Sequence, residues 1–124
     1  MASTVFKQYR QTSITNTLTS SNVVASGFCT LVGWNLINPN TSNVYLKLYN
    51  AAAYTDVTVG TTIPVRTLLI PGSGTAFLSN EDKFQLNFNL GLVVAITSGM
   101  ADNNTGAPSS GSYVEILYDG NPAN

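Results

Sequence analysis

An all-β fold, built as a two-sheet antiparallel sandwich of jelly-roll or related Greek-key topology with an extended N-terminal arm, is what this sequence predicts. Three observations carry that expectation. Short apolar runs alternate with a period of two, clusters of Gly, Pro, Asn and Ser separate them at regular intervals, and no segment has a helical period. About seven or eight antiparallel strands in two facing sheets accommodate such a pattern. At 124 residues the chain is long enough to bury roughly two-thirds of its unfolded surface as one domain. The division expected is an arm and loop over residues 1–20 and a single sandwich over 21–124.

Along the chain, residues 1–10 alternate weakly, with Val5, Phe6 and Tyr9 as anchors, and 11–21 form a polar Ser/Thr/Asn tract, read as a loop or edge strand. Val23-Val-Ala25 is a short β-branched strand. The run 28–38 is apolar on both of its alternating faces, so a central strand is expected there. Asn38-Pro-Asn-Thr-Ser-Asn43 is dense turn chemistry, and Asn43-Val-Tyr-Leu-Lys-Leu-Tyr-Asn50 returns from it, which predicts an antiparallel hairpin between the two segments. In the second segment Val44, Leu46 and Leu48 form the dry face. Tyr45, Lys47 and Tyr49 form an amphipathic one, able to meet a partner while keeping hydroxyls and the ammonium wet.

Residues 51–62 make a longer connection, and Pro64 places the strand over 65–70 at a sheet edge or just outside the ladder. Pro71-Gly-Ser-Gly74 is a turn and Thr75-Ala-Phe-Leu78 a short strand. Lys83-Phe-Gln-Leu-Asn-Phe-Asn-Leu90 alternates without exception, with Phe84, Leu86, Phe88 and Leu90 directed inward. Gly91 marks a bulge or bend before the doubly apolar Leu92-Val-Val-Ala-Ile-Thr97. A loop over 98–112 precedes the last strand, Tyr113-Val-Glu-Ile-Leu-Tyr118, and Asp119-Gly-Asn-Pro opens a short tail.

Charge narrows the function classes. Lys and Arg total 5, Asp and Glu 6, and histidine is absent, so neither a phosphate-tracking surface nor a basic membrane patch is expected. Nucleic acid and membrane are therefore not expected partners. The N-terminus lacks the apolar core of a secretion signal, and no apolar run has the length of a membrane span. The surface expected is neutral and rich in hydroxyls, which suits a protein packed beside its own copies. Cys29 lies in an apolar run with no basic neighbour in sequence and reads as core filler.

No catalytic constellation, metal site or cofactor is expected. A nucleophile lacks its usual histidine base, and the acids Asp56, Glu81-Asp82, Asp102, Glu115 and Asp119 are scattered, with Glu81-Asp82 read as a solvated turn. Asp102-Asn-Asn-Thr-Gly106 has hard oxygens but lacks the further carboxylates of a calcium loop, so it reads as a surface turn. The sequons at Asn40 and Asn103 are ordinary in a chain so rich in Asn, Ser and Thr. Trp34 reads as core rather than as a sugar platform.

Taken together, Asn43-Val-Tyr-Leu-Lys-Leu-Tyr-Asn50, Val59-Gly-Thr-Thr-Ile-Pro64, Leu69-Ile-Pro-Gly72, Gly91-Leu-Val-Val-Ala-Ile-Thr97 with Ala101-Asp102, and Val114-Glu-Ile-Leu-Tyr118 resemble, in order and spacing, small virion proteins of tailed bacteriophages of the capsid decoration (cement) type. The resemblance covers roughly residues 27–118, and the N-terminal arm departs from it. It implies a non-enzymatic protein made in the host cytoplasm and placed on the virion head. There it binds the major capsid protein, commonly as a homotrimer, and stabilises capsomer junctions. On this reading Phe6, Lys7, Tyr9 and Arg10 of the arm, together with Tyr45, Lys47 and Tyr49, are the expected capsid or subunit contacts. The alternative expectation is a tail or fibre module that binds a host surface glycan through its hydroxyl-rich loops.

Overall fold

The computed structural model describes residues 6–79 and 84–120, which form nine strands in two antiparallel sheets. One sheet has the order β1 (Lys7–Ile14), β9 (Ser112–Gly120), β3 (Cys29–Ile37), and the far edge of β3 is shared end to end by β6 (Thr75–Leu78) and β7 (Leu86–Phe88). The facing sheet has the order β2 (Val23–Ala25), β8 (Leu92–Thr97), β4 (Val44–Asn50), β5 (Arg66–Ile70). The sheets bury one core between them, with Leu31, Leu36, Ile116 and Tyr118 from the first meeting Leu46, Leu48, Val94 and Ile96 from the second. The all-β sandwich expected from period-two patterning is the observed architecture.

The first five residues of the expected arm, Val5 among them, lie outside the described residues, as do Glu81-Asp82, Lys83 and the tail from Asn121. From Lys7 onward the expected arm is a strand. β1 ladders along β9 from Lys7 opposite Tyr118 to Ile14 opposite Ser112. Its inward positions Tyr9 and Ile14 are buried, so sandwich packing claims this segment.

The expected hairpin between 28–38 and 43–50 does not form. β3 and β4 belong to opposite sheets, and the segment between them crosses from one sheet to the other. Buried Asn38 organises the crossing. Its Nδ2 donates to the carbonyls of Ser42 (2.9 Å), Ile70 (3.1 Å) and Pro71 (3.1 Å), and its Oδ1 accepts from the backbone N–H and side-chain amide of Asn40. Turn residues between two apolar runs signal a reversal, but the reversal is satisfied equally by a hairpin and by a step between layers.

The doubly apolar character of 28–38 also has a local cause. The register between β3 and β9 shifts between Leu31 and Gly33, leaving Val32 as an extra residue. Inward parity therefore changes within the strand: Cys29 and Leu31 point inward before the shift, and Trp34 and Leu36 after it. Phe28, grouped with the even positions, is instead exposed.

In the segment expected to alternate over 83–90, Phe88 is buried and Phe84 and Leu86 pack against the core. Leu90 is 58% exposed and belongs to the bend before Gly91. Gly91 has φ +146°, and a Cβ there would stand 2.5 Å from the carbonyl oxygens of both Ala25 and Ala51.

Candidate interaction surfaces

The face of β4 carrying Tyr45, Lys47 and Tyr49 was the first expected contact surface, and the fold seals most of it. Lys47 and Tyr49 are fully buried and Tyr45 is half-buried. Tyr49 belongs to a second, smaller apolar cluster with Ala51, Val57, Val93 and Ala95, closed over by Leu18, Tyr54 and Val59. The long connection 51–65 thus lies on the outside of the second sheet. Lys47 is capped by the loop 98–106, its Nζ donating to the carbonyl of Ala101 at 2.6 Å. Burial pushes its pKa down, and the field of Asp102 opposes that shift in part. Burial raises the Tyr49 pKa, helped by Asp102, and the Tyr49 hydroxyl has no hydrogen-bond partner among the described residues. These two side chains serve the interior of the monomer and present no exposed contact face.

The capping loop is a turn held by Asn104, whose Oδ1 accepts from the N–H groups of Gly99 (3.1 Å) and Gly106 (3.0 Å). Besides Lys47, the Asn16 amide ties it to the rest of the fold, donating to the Thr105 carbonyl at 3.1 Å. Among the described residues no group of three or more His, Cys, Asp or Glu side chains is placed to hold a metal ion. Among the described residues no helix is long and apolar enough to cross a membrane.

Of the expected arm contacts, Tyr9 is core. Its hydroxyl donates to the Ser21 carbonyl at 2.6 Å, tying β1 to the turn that precedes β2, and burial raises its pKa. Phe6 is half-buried, whereas Lys7 and Arg10 are exposed. Arg10 does not stand alone. Its guanidinium lies 5.4 Å from the centre of the Tyr113 ring, and its Nε donates to the Tyr113 hydroxyl at 3.1 Å.

That pair opens a surface the sequence reading missed, the outer face of the first sheet. Alternation directs Tyr113, Glu115 and Leu117 of β9 outward, beside Asn35 and Ile37 of β3 and Phe77 of β6. Glu115 is its polar centre and accepts from the side chains of Gln8 and Asn35. Around it stand apolar groups with no cover among the described residues. Phe77 is 70% exposed, Ile37 is 42% exposed, and Leu117 is half-buried. A pocket of about 160 Å³ lies between Phe77, Leu117, Trp34 and Glu115. Trp34, expected as core, packs against it from the rim, edge-on to Phe84 with ring centres 5.3 Å apart. The sequence signal for this face was the alternation of the last strand, where Tyr113 and Leu117 occupy positions opposite to core-facing Val114, Ile116 and Tyr118.

The two lateral sides of the sandwich differ. On the β5/β6 side the turn 71–74 joins the sheets directly, and Arg66 lies over the Phe84 ring at 5.2 Å, which closes the layer. On the β1/β2 side a groove of about 530 Å³ remains. A third cavity, about 490 Å³, lies at one end between 39–44 and 107–110, where amides and hydroxyls of Asn40, Asn43, Ser109 and Ser110 alternate with Pro39, Val44, Ala107 and Pro108. Comparisons with protein-family models, with curated proteins and with solved structures found no match to this chain.

Proposed function

We propose that this chain is a bacteriophage capsid decoration protein, which binds the outer surface of the head and stabilises capsomer junctions, working as a homo-oligomer with a trimer favoured. The observation that carries the proposal is the contrast between the two sheets. The chain's own loops cover the second sheet over Lys47 and Tyr49 and leave Leu69 exposed at its β5 edge, whereas the outer face of the first has no such cover among the described residues and offers Phe77, Ile37 and Leu117 around Glu115, with the Arg10–Tyr113 stack at its β1 side. Exposed aromatic and aliphatic side chains beside an arginine, with few lysines and acids nearby, are the composition of a protein-binding patch. A sandwich closed by buried polar crossings such as that at Asn38 gives such a patch a rigid backing. Modest contacts repeated across many capsomer junctions act together as one strong attachment.

The test is addition of the purified chain to heads from which it has been removed, followed by sedimentation. Retention on heads, with a saturating number of copies per particle, is expected. Failure to co-sediment at any protein concentration contradicts the proposal. A tail or fibre module that binds a host glycan is the second reading, and the end cavity, with amides and hydroxyls set among Pro39, Val44, Ala107 and Pro108, is the observation that favours it. Retention on tails with bare heads would select that reading.

A further inference from the structure

One row of paired residues crosses the outer face of the first sheet. Register sets Phe77 of β6, Asn35 of β3, Glu115 of β9 and Arg10 of β1 side by side. An arginine thus stands directly opposite a carboxylate, yet the two do not pair. The Arg10 guanidinium lies on the Tyr113 ring, and Glu115 accepts instead from neutral groups: the Gln8 amide, the Asn35 amide (3.4 Å) and the Tyr113 hydroxyl (3.4 Å). The other cations of the described residues are committed elsewhere. Arg66, the second of two arginines, covers Phe84, Lys47 is held under the 98–106 loop, and Lys7 stands opposite Tyr118, in step with inward-facing Tyr9. Beside the uncompensated carboxylate lies the pocket of about 160 Å³, walled by Trp34, Phe77, Leu78 and Leu117, with Asn35 and Glu115 among its polar groups. That volume is the share of about five liquid waters, enough for the end of one long side chain. Tyr113 and Phe84 each carry a guanidinium of the chain's own, whereas Trp34 and Phe77 carry none among the described residues.

We infer that this pocket receives one arginine side chain of the major capsid protein, with its guanidinium on Glu115 and its plane against the aromatic wall. The inference rests on the proposed reading of the chain as a head-binding protein and names what its partner presents there. Charge selects a cation, because docking would otherwise strip water from a carboxylate and leave it unpaired. The walls then select among cations. A guanidinium is planar, weakly hydrated and stacks on aromatic rings, whereas an ammonium is a compact charge that gives up its water at greater cost. Its forked N–H groups also suit a carboxylate flanked by the Asn35 side-chain carbonyl, which has no donor among the described residues. One carboxylate and one amide fall short of the oxygen shell that a hard metal ion takes.

Trp34 is the only tryptophan of the chain, so its fluorescence reads the pocket without heads. Nα-acetyl-arginine amide is titrated into the full-length chain at constant ionic strength, through the roughly millimolar range expected of so small a ligand. A saturable change in emission is expected, weakened at least about ten-fold in Glu115→Gln, which keeps an acceptor oxygen and removes the charge. The citrulline analogue, of the same shape without the charge, should leave the emission of the parent chain unchanged. No saturable response to arginine, an equal response to citrulline, or an equal response in Glu115→Gln overturns the inference. So does a lysine analogue that binds as tightly as arginine. Lys83 lies outside the described residues, and a response that appears only in Lys83→Met assigns the pocket to the chain's own lysine and overturns the partner's arginine. Sedimentation with stripped heads separates the two levels of the argument. Glu115→Gln should be retained at least about ten-fold more weakly than the parent, with a shallower dependence on salt. Equal retention overturns the inference and leaves head binding standing, whereas a parent chain that is not retained at all contradicts both.

Discussion

Lys47 and Tyr49 lie two positions apart on the same face of β4 and are buried under different costs. Lys47 retains an acceptor, the Ala101 carbonyl, while the Tyr49 hydroxyl has none among the described residues. Removing an unpaired buried hydroxyl while keeping the ring forfeits no hydrogen bond. Tyr49→Phe should therefore leave stability unchanged or raise it by up to about 1 kcal/mol in urea unfolding, whereas a loss above that would show that the hydroxyl has a partner. Cys29 gives a second residue-level prediction. Burial pushes its thiol from 9.0 up to about 11, so the unfolded state loses the proton first and stability falls as pH rises through that window. The lowered pKa of Lys47 acts in the opposite direction, because the native state there releases its proton before the unfolded one. Comparison with Cys29→Ala cancels the lysine. Between pH 8 and 11 the parent chain should lose about 2–3 kcal/mol relative to that variant, measured by denaturant midpoints at each pH.

At the scale of elements, the strands were legible in sequence and their partners were not. Period-two patterning and turn residues located the strands around Val44–Asn50, Arg66–Ile70, Thr75–Leu78 and Leu92–Thr97, because each is a local consequence of alternation. Pairing depends on which layer a chain enters after its turn. The 38–43 crossing has the composition of a hairpin loop yet is fixed by Asn38 reaching carbonyls more than thirty residues away, at Ile70 and Pro71. The face of β4 failed for the same reason, since the residues covering it come from 51–59 and 98–106. Conversely, the Val32 bulge explains why β3 looked apolar on both sides. The crossing is testable: Asn38→Ala strands the carbonyls of Ile70 and Pro71 and should cost about 2–4 kcal/mol. A loss below about 1 kcal/mol would mean that the turn residues alone hold the crossing. Gly91→Ala forces a Cβ against two carbonyl oxygens at a positive φ and should cost at least about 2 kcal/mol, read by the same unfolding assay.

For the whole molecule, the difference between a second sheet covered by loops over Lys47 and Tyr49 and a first sheet with an uncovered outer face separates stability from attachment. The bare face contains few groups the fold needs. Phe77→Ser should therefore change unfolding free energy by no more than about 0.5 kcal/mol, since the ring is largely exposed. The same variant should weaken retention on heads at least about ten-fold, the cost of losing an aromatic anchor at an interface. If Phe77→Ser destabilises the monomer and leaves attachment intact, the outer face of the first sheet is not the attachment surface. Imaging of intact particles, with and without the chain, tests the central claim most directly. The decoration reading predicts regularly spaced density on the outside of the head at capsomer junctions, lost when the chain is removed. Density confined to the tail, or heads identical in the two samples, would contradict it.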